Sequence, residues 1–478
     1  MKKGWLLGLN VTLLSVVVLV QGQAGTEAPP TGWTVTPTLR TRIESWRWFD
    51  PGNPPVGKDN RYVFMGQILR VPVAKQGKKT DALVELAVPM LFALPNDAVA
   101  APPQGQLGMG ASYKAANDGQ YVGVFFKQAA LTFKGALGEN THLKVGRFEF
   151  NEGVEFMTGD PTLDWIKRER IGYRLIGNFG FSHVGRSADG VHVSRNTKGS
   201  NLTFVAARPT VGVFDLDGNK GIDDVGYVYL GLTHKGSPTT YDGRLFYILY
   251  KDDRRLAKVD NSGGASGTGD ISISTFGGHY ARKLGKADVL LWGAVQRGDW
   301  GAHDHKASAV NLEFGYQPTM KGQPWIRIGT FRSSGDSVGT DGKHETFFLI
   351  LTTPRLYARF PFFNQMNLRD DFVMLILRPN PKTVARLDLH RLRLADAGDR
   401  WYLGGGAFQQ GTFGYAGRPS GGNRDLATLL DVSVDYKLTA HTTVTLYLSR
   451  AIGGKVVSAI YPNGRRASLF YVEVMNRF

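Results

Sequence analysis

From residue 34 to the last residue, apolar and polar side chains alternate at period two, and helix-period stripes are almost absent. In TLRTRIESWRWF, Arg40, Arg42, Glu44, Trp46 and Trp48 share one face, and Leu39, Thr41, Ile43 and Phe49 the other. The pattern returns in ALVELAVPMLF, NLTFVAAR, YVYLGLTH, DVLLWGAVQ, ASAVNLEFGY, VARLDLH, ATLLDVSVDYKL, TTVTLYLS and ASLFYVEVMNRF. Such alternation marks strands with one apolar face. The segments approach the roughly 9–11 residues that a strand needs to cross a bilayer. A soluble sandwich also alternates, but it needs far fewer strands and does not so often end them in aromatics.

The connections fix a topology. Short ones fall at 75–80, 135–140, 196–199, 235–240, 284–285, 318–323, 379–382 and 439–440. Long ones fall between them, at 50–60, 94–119, 151–187, 209–224, 253–270, 299–305, 333–370, 395–426 and 451–467. Strict alternation of short turns with long loops is the habit of outer-membrane barrels. Eight turns and nine loops predict an all-β, 18-stranded antiparallel transmembrane barrel with both termini on the short-turn, periplasmic side. Trp401–Gln410 could pass as a strand, but counting it makes the number odd, so it belongs in a loop. In the last strand Phe470, Val472, Val474 and Phe478 point outward and Tyr471, Glu473 and Arg477 inward. A chain that stops on an aromatic resembles the assembly signal of bacterial outer-membrane proteins.

A charge facing lipid near the midplane costs about 2–4 kcal/mol, so strand charges should face the lumen. That turns Arg40, Arg42, Glu44, Glu85, Glu313, Arg327, Arg386, Asp388, Asp431, Asp435 and Lys437 inward. Two stretches resist. In VARLDLHRLRLAD the apolar parity flips between Leu389 and Leu392, and a bulge there would keep His390, Arg391 and Arg393 off the lipid. In KVGRFEF, Val145 and Arg147 share parity, which predicts a bulge near Gly146 or a position at the loop end.

Composition adds the compartment. Lys2 and Lys3, an apolar run from Trp5 to Val20 and the small residues Gly22-Gln23-Ala24 make residues 1–24 a cleavable signal peptide. Residues 25–33 form a periplasmic lead and 34–478 the outer-membrane barrel. No cysteine is present, and a closed hydrogen-bonded barrel needs no disulfide. Without the leader, 55 basic residues face 41 acidic ones, a net charge of +14. Nucleic acid is a poor partner for an exported chain with no basic helix or binding module. An anionic saccharide or small anion fits better, with outer-membrane lipid and lipopolysaccharide as surroundings.

One connection stands out, because loops of its length inside a compact fold are uncommon and usually functional. Between Lys144 and Arg195, two short strands enclose a segment carrying Arg168, Arg170 and Arg174, which we expect to crown the pore entrance. We expect Arg147 and Glu149, at the top of the ascending strand, to converge with Arg186 and Asp189 at the start of the descending one. VGRFEFNEG, then DW, then GRSADGVHVS resembles the signature of the alginate export family of outer-membrane barrels. RTRIE resembles that family's first strand, and the stretch from RDDFVMLIL through ADAGDRWYLGGG to the end resembles its C-terminal third. Phe148 stands where the family carries Gln, and Glu152 where an aromatic is expected. The resemblance implies 18 strands and an arginine-rich constriction that passes a polyuronate. Arg42, Glu44, Arg147, Glu149, Arg186 and Asp189 fall on its motifs.

Arginine suits such a conduit, since its planar fork binds carboxylates and keeps its proton. Arg40, Arg42, Glu44, Arg147, Glu149, Arg186, Asp189, Arg327, Arg386 and Asp388 are the candidate lining. The plainer explanation is that these arginines pair with wall acids and stiffen the barrel. Asp215, Asp217, Asn219 and Asp223 resemble a calcium loop, yet Lys220 replaces the turn glycine and Gly226 the bidentate Glu, so a solvated turn is favoured. His303, Asp304, His305 and Ser308 invite a hydrolase, but no nucleophile elbow accompanies them, and His183 beside Ser182 is as isolated. The chain therefore reads as a passive channel, not an enzyme, that requires no cofactor and works with a periplasmic secretion partner if it exports. An anion-selective uptake porin is the main alternative, followed by an outer-membrane hydrolase and a loop-plugged receptor.

Overall fold

The computed structural model describes residues 32–52, 59–262, 268–353 and 358–478, so the expected signal peptide and most of the expected lead lie outside the described residues. Eighteen strands close an antiparallel barrel. The first nine are β1 (Thr38–Arg47), β2 (Arg61–Lys75), β3 (Thr80–Phe92), β4 (Phe125–Lys134), β5 (Thr141–Phe148), β6 (Ala188–Asn196), β7 (Ser200–Pro209), β8 (Val225–Lys235) and β9 (Tyr241–Asp252). The rest are β10 (Ile271–Leu284), β11 (Ala287–Trp300), β12 (His303–Tyr316), β13 (Trp325–Ser333), β14 (Leu368–Asn380), β15 (Thr383–Leu394), β16 (Asp425–Lys437), β17 (Thr442–Gly453) and β18 (Arg466–Arg477). Each pairs with its neighbours in sequence, and β1 meets β18 from Thr38↔Arg477 to Arg47↔Ser468, which leaves no edge.

The period-two pattern is obeyed closely. Along β12, all fourteen residues alternate between buried and exposed. Leu291, Leu312, Phe314, Ile328, Val373, Leu389, Leu446 and Phe470 face outward as an apolar band. Inward positions carry Arg42, Glu44, Glu85, Glu313, Arg327, Arg386, Asp388 and Asp431, all buried. The short connections stay short. One loop expected to be long does not: Gly301 and Ala302 alone join β11 to β12, with Gly301 at φ +62° supplying the left-handed turn. Arg400–Gly404 and Tyr415–Pro419 form their own two-stranded hairpin within a long loop, outside the barrel count.

In the first irregular stretch the irregularity falls on the other side of β15, where the pairing with β16 shifts between Leu392 and Arg393, and the second takes the position at the loop end without a bulge. The β14–β15 register runs unbroken through His390, Arg391 and Arg393, so His390 stays inside and both arginines point outward at the loop end. There they pair with Asp425 and Asp371 at 2.7 Å, in the zone where headgroups replace acyl chains and an outward charge is tolerated. Register is likewise unbroken at Gly146, so Arg147 shares the outer face with Val145 and Leu131.

The lumen is filled by the long loops. L2 (residues 93–124) contributes helix α1 (Met109–Asn117), and L3 (149–187) contributes α2 (Pro161–Ile166) followed by a π-turn over Lys167–Ile171. L7 (334–367) runs beside L3, with Leu351 N–H donating to Leu175 O and Gly177 N–H to Leu351 O.

Candidate functional site: a partitioned lumen

L3 does not stop at the mouth. Asp160 caps α2 by accepting from the N–H groups of Thr162 and Leu163, and Pro161 starts the helix where a missing N–H costs nothing. A helix satisfies its own backbone, so it can lie deep inside the barrel. Lys235 Nζ donates to Thr158 O at 2.8 Å, Lys283 pairs with Asp160 at 3.0 Å, and Gln317 bonds Thr162 at 3.1 Å. All three partners flank short turns, so α2 lies at the end opposite to the one from which L3 enters.

Acids on the wall hold it there. Lys167 Nζ is 2.9 Å from both oxygens of Asp242, which also accepts from His279. Arg170 reaches Glu313 at 2.9 Å, and Arg327 joins the same carboxylate at 2.8 Å while bonding Asp288. Arg244 pairs with Glu152 at 2.6 Å. Arg174 donates to Gln365 at 2.7 Å and lies 4.8 Å from the Trp292 ring centre. Arg170 and Arg174 thus do not crown the entrance; both are buried, Arg170 held by the wall acid Glu313 and Arg174 by Gln365 and the Trp292 ring, and the exposed Arg168 sits on the same deep π-turn.

The returning limb, residues 179–185, crosses the lumen. Arg40 donates to Gly180 O at 2.5 Å and to Ser182 O. Arg42 Nη2 donates to Phe181 O at 2.8 Å, and its guanidinium lies 4.2 Å from the Phe181 ring centre. His183 Nε2 is 3.0 Å from Glu44 Oε1, and the His183 backbone N–H donates to the Tyr113 hydroxyl of α1 at 2.8 Å. Gly66 makes the approach possible, since a Cβ there would sit 2.2 Å from the His183 ring. Burial, reinforced by the Arg42 charge and opposed by Glu44, pushes the His183 imidazole down to about 4, so it is neutral at neutral pH.

This limb separates two cavities. Toward the chain termini lies one of about 550 Å3, lined by Arg40, Arg70, Lys127 and Arg477 with Glu85 and Glu149, and roofed by Gly180, Ser182, Val184 and Gly185. Toward the long loops lies one of about 320 Å3, lined by Trp46, Trp48, Phe179, Phe214, Phe408 and Arg418 among others. The lower chamber carries four cationic side chains to two acidic ones; the upper holds six aromatic rings and a single cation.

The expected gate of four residues does not assemble. Arg147 binds Asp189 through two bonds, at 2.7 and 2.8 Å, but on the outer face, where the carbonyls of Gly218 and Asn219 cover it. Glu149 turns inward to Arg70 at 2.7 Å. Arg186 is buried, donates to Gly405 O at 2.6 Å, and is pulled down to about 10 by burial. Arg386 and Asp388 bind each other at 2.6 Å, with Glu169 of L3 3.5 Å away. The four calcium candidates diverge: Asp215 accepts from Gln409, Asp217 pairs with Lys220, Asn219 binds β4 backbone, and Asp223 pairs with Arg208. Among the described residues no group of three or more His, Asp or Glu could hold a metal. His305 points inward to His344 at 2.8 Å while Ser308 points outward, so the two cannot act together.

Arg70, Lys127, Lys167 and Arg244 are the residues that sequence reasoning missed, and His183 was considered there only as an isolated catalytic candidate. Arg70 was within reach, since it shares parity with the buried Ile68. Lys127 was not: it occupies the irregularity where the β3–β4 register shifts, so parity does not apply to it.

Residues 123–460 match the model of the alginate export family. No curated protein matches the chain. Among solved structures, the outer membrane protein OpdK of Pseudomonas aeruginosa is similar, with 12% identity, 93% of this chain and 99% of that chain covered, and a TM-score of 0.54. OccK2 (OpdF) of the same organism in complex with glucuronate gives 11% identity, 93% and 98% coverage and 0.54. OccAB4 of Acinetobacter baumannii gives 11%, 94% and 100%, and 0.50.

Proposed function

The chain belongs to the alginate export family of outer-membrane channels, and from that premise we propose that it passes an anionic saccharide of the polyuronate class. The carrying observation is the lower chamber, where Arg40, Arg70, Lys127 and Arg477 outnumber Glu85 and Glu149. A carboxylate entering from the periplasm meets guanidinium forks that bind it, beside acids that keep the binding weak enough for release. Arg40 holds both the chamber and the limb above it, through Gly180 O and Ser182 O. An entering carboxylate competes with those two carbonyls for the same guanidinium. Occupancy of the chamber therefore loosens the partition, and the route toward the aromatic chamber opens. Passage is passive and follows concentration or a periplasmic partner. Residues 1–24 serve as the export leader.

Purified protein in planar bilayers under a salt gradient tests this. We expect a reversal potential on the anion side and block by oligouronates added at the short-turn face; cation selectivity overturns the proposal. Uptake of a small uronate is the second reading, favoured by a chamber sized for a small sugar and by the glucuronate in the OccK2 structure. Permeation by the monomer without block by the oligomer would select it.

A further inference from the structure

On the outer wall of β12–β16 the side chains form rows in register. Val310, Arg332, Arg369, Arg393 and Asp425 make the row nearest the loops. Leu312, Thr330, Asp371, Arg391 and Thr428 lie beneath it. The third row is Phe314, Ile328, Val373, Leu389 and Leu430, and is wholly apolar. Three arginines thus stand side by side on adjacent strands, spaced by about 4.8 Å per strand. Like charges directly opposite one another across a sheet are destabilising. The acids nearby neutralise only one of them: Asp371 is committed to Arg393 and Thr330 at 2.7 Å each, and Asp425 to Arg391 at 2.7 Å, which leaves the charges of Arg332 and Arg369. The Nε of Arg369 is shielded and makes no hydrogen bond.

The wall is also concave here. A hollow of about 720 Å3 is lined by Phe276, Val295, Val310, Ser308, Arg332 and Arg369. On the same outer wall is a second of about 820 Å3, lined by Leu291, Leu312, Phe314, Ile328, Val373 and Leu389. The second hollow is apolar along its floor, with Thr330, Asp371, Arg391 and Thr428 at its loop-side border and the arginine row one step beyond them.

We propose that this wall holds a phosphorylated glycolipid of the outer leaflet, with phosphate in the hollow on Arg332 and Arg369 and acyl chains in the apolar hollow below. Charge complementarity selects the occupant. A second copy of this chain would bring the same arginines to the interface, and a zwitterionic lipid would leave the row unneutralised. Phosphate accepts charge-assisted bonds from two guanidinium groups at once, which offsets their mutual repulsion. The proposal rests on the outer-membrane placement and not on the solute, so failure of the transport reading leaves it standing.

The test is native mass spectrometry of the full chain released from micelles containing bisphosphorylated lipid A, its fully dephosphorylated form, or phosphatidylglycerol. We expect one bisphosphorylated molecule retained per barrel, and little of the other two. Arg332→Gln with Arg369→Gln should lower retention about tenfold or more, as losing charge-assisted bonds implies. Arg450→Gln, an outward arginine on β17, should leave it unchanged. Equal retention of the dephosphorylated lipid overturns the proposal, as does retention unaffected in the double variant, or a dimer that excludes lipid. If the double variant does not fold, the wild-type comparison of the three lipids decides alone.

Discussion

The two sides of the lumen hold the same kinds of charge and use them in opposite ways. Along β9–β13, Lys167, Arg170, Arg244 and Arg327 meet Asp242, Glu152 and Glu313 with side chains essentially sealed from solvent. Along β1–β4, Arg40, Arg70 and Glu149 stay partly open, with side chains 11%, 28% and 15% exposed. The first set anchors the deep turn of L3; the second lines a chamber, and Arg40 alone of it also holds the returning limb. An arginine count along the strands therefore overstates the conduit, because pairing with a buried acid turns a binding group into a staple.

The largest expected effect breaks the sealed side. Glu313→Ala leaves Arg170 and Arg327 without their shared carboxylate and should destabilise the barrel by about 3–5 kcal/mol, read from heat-modifiable gel mobility or denaturant titration. It should also free L3 and raise single-channel conductance. Glu149→Ala on the open side should cost about 1 kcal/mol or less. Equal losses would abolish the distinction.

Next comes selectivity. Arg40→Glu with Arg70→Glu should move the reversal potential toward cations, whereas Arg208→Glu, on the outer rim, should not move it. A shift of the same size in both would place the selecting charges elsewhere.

The partition should respond to acid. His183 titrates near 4 in place but at its ordinary 6.5 once released, so the released state takes up the proton first. The stabilisation of the limb is complete above pH 6.5 and declines as pH falls toward 4. Arg42 and Arg40 face the imidazole and oppose its charging, while Glu44 favours it. Conductance recorded through that window should rise in the wild type and stay level in His183→Gln. A flat wild-type trace would show that the limb does not depend on this ring.

The smallest effect is expected at Arg208, whose bond to Asp223 is solvent-exposed. Arg208→Ala should change stability by about 0.5 kcal/mol or less. A larger loss would mean that the loop over residues 210–224 braces the rim more firmly than its exposure suggests.

Much of the fold was legible because a barrel writes itself into parity. Arg42, Glu44, Glu313, Arg327, Arg386 and Asp388 fell inside as the alternation required. Parity misled only at the loop end. A bulge was expected to keep Arg391 and Arg393 off the lipid, and a bulge or a position at the loop end to do so for Arg147; all three lie at the loop end, where near the headgroups the premise that charges avoid the outer face lapses. Arg170 and Arg174 were placed at the entrance because a loop without regular structure carries no periodic signal.

The segment from Lys144 to Arg195 shows where the boundary lies. The sequence by itself determined that it is one loop between two strands of a closed 18-stranded barrel, since hydrogen-bond closure and a lipid-facing surface allow one alternation and one parity of crossings. Only the tertiary structure decided that L3 runs the depth of the pore and folds back as a partition. That outcome depends on contacts between residues more than 70 positions apart, Lys167 with Asp242, Arg170 with Glu313 and His183 with Glu44, and pairings at that distance leave no trace in local pattern.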